Sequence, residues 1–138
     1  MTATSTYKQA NLFAAALDTD DFYGIEALIS KNCVFIDRMK VIEGREAIID
    51  SYRKSSERAQ ELFDAVHYES DVLSSSKTSA EILFADHLTC GRLIHIYRSR
   101  QFLEFSLDGP IVRIRQEEAP GERQRLKEFL QECGIKDE

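Results

Sequence analysis

No run of lysine and arginine in this sequence is long enough to track a phosphate backbone, and the formal net charge is -6. An electrostatic footprint for nucleic acid is therefore missing. No apolar run reaches membrane-spanning length, and residues 1–9 have neither the basic start nor the apolar centre of a signal peptide. A cytoplasmic protein with no nucleic-acid and no membrane partner is expected. Cys33, Cys90 and Cys133 are odd in number and far apart, which matches neither a disulfide framework nor a zinc-ligand spacing; reduced, packed thiols are the simplest reading. There is no glycine-rich phosphate loop, nucleophile elbow or Cys-His arrangement of recognisable spacing, so covalent catalysis has no support. Three scattered histidines do not define a metal centre. Neither a metal nor a cofactor is assigned.

What is present suits one globular domain over residues 1–138: hydrophobic residues make up 43% and charged residues 30%, too apolar for disorder, in a chain short enough for a single core. Thr6 and Gln9 form a candidate capping box, and Ala10, Phe13, Ala14 and Leu17 recur on one helical face. After the acidic break at 18–21, Phe22, Ile25, Leu28 and Ile29 predict a shorter helix. A brief β-prone run at 33–37 leads into a loop over 38–43 that ends at Gly44, and Ile48, Ile49 and Tyr52 mark a third helix. From Ala65 the period changes to two, predicting strands at 66–73, 80–89, 93–105 and 111–116 joined as an antiparallel meander. Pro120-Gly121 opens a last helix whose Leu126, Phe129, Leu130 and Cys133 share a face, with Gly134 as its left-handed cap. Helices first and strands afterwards imply an α+β layering in which a curved antiparallel sheet wraps around N-terminal helices. Alternation weakens around 97–101, where a β-bulge would supply curvature.

The order of these elements, with residues 18–37, the helix start Glu43-Gly44-Arg45-Glu46-Ala47-Ile48-Ile49 and the turn and strand Asp108-Gly109-Pro110-Ile111-Val112-Arg113, resembles the nuclear-transport-factor-2-like superfamily. That superfamily includes the ketosteroid isomerases and the SnoaL-like polyketide cyclases. The resemblance spans nearly the whole chain and implies a cystatin-like cone around a small apolar pocket. It places Asp37 at the position of the isomerases' catalytic aspartate, Gln101 at that of their protonated aspartate, and Phe13 at that of their tyrosine donor. An amide still donates a hydrogen bond. Phenylalanine does not, and losing one preorganised oxyanion donor costs roughly a hundredfold in rate or more, so the resemblance does not extend to steroid isomerisation by the known arrangement. It also implies a homodimer, since such sheets pack across their outer faces.

Two readings of Asp37 stay open. Following the apolar run Val34-Phe35-Ile36, its carboxylate would face a low-dielectric cavity and act as a general base; alternatively it ends a strand and pairs with Arg38, Lys40 or Arg45 at the surface. In an unbulged strand His95, Tyr97, Ser99, Gln101 and Leu103 share one face, and His95, Tyr97 and Gln101 line the pocket or satisfy neighbouring groups. Phe13, Leu17, Ile25, Leu28 and Tyr52 read as core, some of it doubling as pocket wall. Asp86 and His87 are adjacent on a strand and point to opposite faces, so at most one belongs to a site. The candidates are thus Asp37 and Gln101 as catalytic groups and Phe13, Leu17, Tyr52, His95, Tyr97 and Leu103 as contacts to a small apolar molecule. Two functions follow: acid-base isomerisation, cyclisation or dehydration with Asp37 moving the proton, or a non-catalytic ligand-binding or dimerisation module.

Overall fold

The computed structural model describes residues 2–38 and 40–135. Helix α1 runs Ala3–Asp18, α2 Phe22–Leu28, α3 Arg45–Leu62 and α4 Glu122–Glu132; the strands are β1 Ile29–Ile36, β2 Val41–Glu43, β3 Ala65–Ser75, β4 Ser79–Cys90, β5 Leu93–Phe105 and β6 Ile111–Glu118. One six-stranded sheet has the order β2-β1-β6-β5-β4-β3. It is antiparallel apart from the β1–β6 pair, which is parallel. Helix α1 packs on β3 and β4, α3 on β1, and α4 on β5.

Helix α1 starts earlier than the spacing predicts. Thr2 is the N-cap, in a reciprocal capping box with Ser5. Thr6 is instead inside the helix and fully buried, its hydroxyl donating to the carbonyls of Ala3 and of Ser76 in the β3–β4 turn. Asp21 caps α2 by accepting from the Gly24 N–H at 3.0 Å. A Cβ on Gly24 would stand 2.5 Å from that carboxylate, so a larger residue there would have to displace the cap. Ile29, expected in α2, opens β1. The predicted loop over 38–43 contains the short strand β2, whose Val41 pairs with Ile36; Met39 lies outside the described residues. Gly134 is left-handed at φ 74°, and the Ile135 N–H reaches the Leu130 carbonyl at 2.8 Å, closing α4 as its sequence predicts.

No bulge falls at 97–101. Pairing of β4 with β5 is uninterrupted from Ser79–Glu104 to Cys90–Leu93. The register shifts lie instead at Val72/Ser74, Ile29/Val34 and Glu104/Phe105. Because β5 is unbroken, its alternation holds throughout: Leu103 is fully buried, Gln101 and Ser99 nearly so, while Arg98, Arg100 and Glu104 are exposed. The core lies between the concave face, with Ile82, Phe84, Leu103 and Ile114, and the helices, with Ala10, Phe13, Ile25 and Ile48.

Candidate functional site

Between the concave sheet face and helices α1 to α3 is a cavity of about 280 Å³. Its apolar wall includes Leu17, Phe22, Phe35, Ile48, Phe84 and Leu88, and polar groups gather at two poles. The first pole is acidic. On β3, β4 and β5, Tyr68, Asp86 and Tyr97 stand directly opposite one another in a single cross-strand row, so all three side chains project into the cavity. The turn between α1 and α2 brings Asp18 and Asp20 to the same end. Asp20 has a left-handed backbone at φ 53°, a conformation aspartate tolerates better than most residues, and its carboxylate accepts from the Ser56 hydroxyl at 2.6 Å. The Ser70 hydroxyl donates to one oxygen of Asp18, while the other, Oδ1, is buried without a hydrogen-bond partner among the described residues.

Burial pushes the Asp86 carboxyl up to about 7, the negative charges of Asp18 and Asp20 add to the rise, and His87 opposes it. Asp18 is raised as well, chiefly by burial, with the Ser70 hydrogen bond acting against it. Burial likewise raises Tyr68 and Tyr97. Tyr97 donates to Glu118 Oε2 at 2.8 Å, and Arg123 Nη2 meets the same oxygen at 2.9 Å. The acidic pole therefore presents a carboxyl that exchanges its proton near neutrality, flanked by two phenols that keep theirs.

The second pole is a chain of neutral groups. Tyr52 Oη donates to Gln101 Oε1 at 3.5 Å, and Gln101 Nε2 donates to Gln116 Oε1 at 2.9 Å. Burial raises Tyr52 strongly, so its hydroxyl stays protonated. A phenol thus reaches the cavity from α3, although the α1 position suggested by the resemblance holds Phe13.

Of the residues singled out in the sequence, Asp37, Gln101, Leu17, Tyr52 and Tyr97 line the cavity. Asp37 sits where the β1–β2 hairpin turns: its backbone N–H donates to the Lys40 carbonyl at 3.0 Å, and its Oδ1 accepts from the Lys40 N–H at 3.1 Å. Three candidates are not among the lining residues. Phe13 is fully buried in the core, because α1 turns that face toward the sheet. Leu103 is also fully buried and pairs with Ala80 and Ile114. His95 shares the concave parity and stands directly opposite Leu88, but α4 covers it: its ring stacks on Phe129 at 5.3 Å, and Nε2 bonds Glu122 Oε1 at 2.8 Å.

Asp86 is the central residue that the candidate set left out. A signal existed: among the inward positions Ala80, Ile82, Phe84, Asp86 and Leu88 of β4 it is the one charged residue. His87 does point the other way, bonding Glu69 at 3.0 Å on the outer face.

No protein-family model and no curated protein matches the sequence. Solved structures do. The LEH-like epoxide hydrolase of M. tuberculosis aligns at 17% identity over 89% of each chain with a TM-score of 0.68. A putative polyketide cyclase from Xanthomonas campestris aligns at 13% identity over 95% of this chain and 98% of that one, with a TM-score of 0.69. A nuclear-transport-factor-2-like protein of unknown function from Cytophaga hutchinsonii aligns at 16% identity over 88% and 94%, with a TM-score of 0.63. The chain thus has the nuclear-transport-factor-2-like, SnoaL-like α+β fold.

Proposed function

We propose that the cavity carries out acid-base chemistry on a small, largely apolar molecule, with Asp86 as the group that donates the proton. The observation behind this reading is the Tyr68-Asp86-Tyr97 row, in which a carboxyl pushed up to about 7 faces the cavity beside two further acids. Carboxyls with unlike environments in one pocket divide the roles of acid and base. Asp86, the carboxyl pushed up to about 7, gives its proton to a substrate oxygen; Asp18, whose Oδ1 has no hydrogen-bond partner among the described residues, takes a proton from carbon. Isomerisation, cyclisation and dehydration all fit that pair of transfers. The proton-moving role that the resemblance gives Asp37 thus passes to Asp86, and Asp37 with Gln101 and Tyr52 positions the ligand. Two structural neighbours, an epoxide hydrolase and a putative polyketide cyclase, carry names that imply small-molecule reactions. Small neutral epoxides, enones and polyketide-like ketones are accordingly the first compounds to assay.

A compound that is turned over should lose rate as pH rises through about 7, and Asp86→Asn should lower kcat by roughly 10² to 10⁴ while sparing the fold. Unchanged turnover in Asp86→Asn would refute the assignment. Binding without turnover by the unmodified chain would favour the ligand-binding module instead.

The same reading includes a homodimer formed across the outer sheet face. There Leu83, Ala85, Ile96 and Phe102 are only half-buried and Ile94 is 67% exposed. Around them lie the Arg100–Glu81 ion pair at 3.2 Å and Arg115 over the Phe102 ring. An apolar centre inside a charged rim suits a second copy of the same face. Sedimentation should report twice the 15.8 kDa of one chain; a monomer at high micromolar concentration would overturn the proposal.

A further inference from the structure

Tyr97 is held from outside the cavity that it lines. Its hydroxyl donates to Glu118 Oε2 at 2.8 Å, and Glu118, the last residue of β6, is not among the lining residues. A fork from α4 fixes that carboxylate: Arg123 Nη2 meets Oε2 at 2.9 Å, and Arg123 Nε donates to Oε1 at 3.3 Å. A carboxylate paired with a guanidinium has no proton to give, so the proton between Tyr97 and Glu118 is the phenol's. What Tyr97 has left for the cavity is the acceptor side of its oxygen. Directly across the strands stands Asp86, and in such pairs the Cβ atoms are about 5 Å apart.

We infer that Glu118 is a positioning residue that makes Tyr97 a hydrogen-bond acceptor in the cavity, and that the ligand oxygen seated between Asp86 and Tyr97 is therefore a hydroxyl. A hydroxyl accepts from the acid on one side and donates to the phenol oxygen on the other. A carbonyl or epoxide oxygen only accepts, so it satisfies Asp86 and leaves Tyr97 Oη facing a second lone pair, desolvated and without a partner. Other wall protons are committed in the same way: the Tyr52 hydroxyl donates to Gln101 at 3.5 Å and the Ser56 hydroxyl to Asp20 at 2.6 Å. The inference rests on the proposed function in that Asp86 presents a proton, and it narrows the compounds named there to those bearing a hydroxyl on an apolar frame.

The experiment is calorimetric titration of the full chain at about pH 6, below the value of about 7 to which Asp86 is pushed. The probes are 1-indanol and 1-indanone, which differ in a hydroxyl against a carbonyl. The unmodified chain should bind the alcohol about tenfold more tightly. Tyr97→Phe should bring the ratio to about one, and Glu118→Leu should do the same or reverse it, because the released phenol can turn its proton inward. Glu118→Gln should keep the preference, since Arg123 has only donors and holds the amide oxygen toward itself and Tyr97. Loss of packing alone would weaken both probes together and leave the ratio unchanged. Where Glu118→Leu does not fold, Tyr97→Phe and Glu118→Gln decide. Equal binding of the two probes by the unmodified chain, binding of neither, or a preference that survives Tyr97→Phe or Glu118→Leu would overturn the inference. A preference for the alcohol in a chain that turns nothing over would uphold it and sink the catalytic reading; turnover with no such preference would do the reverse.

Discussion

Asp86→Asn is expected to stabilise the protein by about 3–4 kcal/mol at pH 8 and to change its stability little at pH 4. The carboxyl of Asp86 rises from an ordinary 3.8 to about 7 in the folded chain, and each unit corresponds to about 1.4 kcal/mol. A raised acid binds its proton more tightly when folded, so its contribution to stability is fully present below the unfolded value. It is lost as pH climbs toward the folded one. Between pH 4 and pH 8 the unmodified protein should therefore lose about 4 kcal/mol that the amide variant keeps. Asp18, raised in the same direction, adds slope of the same sign to both proteins. Urea unfolding at several pH values measures the difference directly, and parallel curves for the two proteins would mean that Asp86 is not held in a dry environment. A residue that weakens the fold at neutral pH is retained most readily where it performs chemistry, which is why this measurement bears on function without any substrate in hand.

The second large effect is expected where α4 meets β5. Glu122 is only 1% exposed, yet its carboxylate is fully engaged: Oε1 accepts from His95 Nε2 at 2.8 Å and from the Arg98 N–H at 3.3 Å, and Oε2 from Arg125 Nε and Nη2 at 3.0 and 2.8 Å. Removing Glu122 leaves His95 and the Arg98 N–H desolvated and unpaired, while the half-exposed Arg125 returns to water, at a cost of about 1–3 kcal/mol. Glu122→Ala should thus lower the unfolding free energy by that amount and expose the amides of α4 to exchange before the rest of the chain. Glu128→Ala, on the exposed side of the same helix, should stay within about 0.5 kcal/mol. A loss below about 1 kcal/mol in Glu122→Ala would show that Phe129 and Leu130 alone hold the helix.

Helix faces and the four long strands were legible in the sequence because their periodicities persist over many residues: Ala10, Phe13 and Ala14 on one side of α1, and inward Ile82, Phe84 and Leu88 on β4. Strand β2 was not, since three residues with one half-buried between two exposed give no alternation to read. The parallel β1–β6 pairing also escaped, because local patterning and short turns speak only for neighbours along the chain. The site was half legible. Parity put Tyr97 and Gln101 inward and set Asp86 opposite in sense to His87, and counting against the resemblance reached Asp37. What no local pattern conveys is that the α1–α2 turn carries Asp18 and Asp20 to Asp86, and it is their company and the burial of that row that give Asp86 its character. His95 was misplaced for a related reason: its parity is right, but α4 arrives from the far end of the sequence to cover it.

The junction of β1 with β6 also orders the assembly of the chain. Strands β3 to β6 are linked by short turns and can zip together at little entropic cost, whereas the arm of β1 and β2 gains its hydrogen bonds to the meander only after a loop spanning most of the molecule has closed. Phe35, which walls the hollow from β1, is therefore expected to dock after the meander has formed.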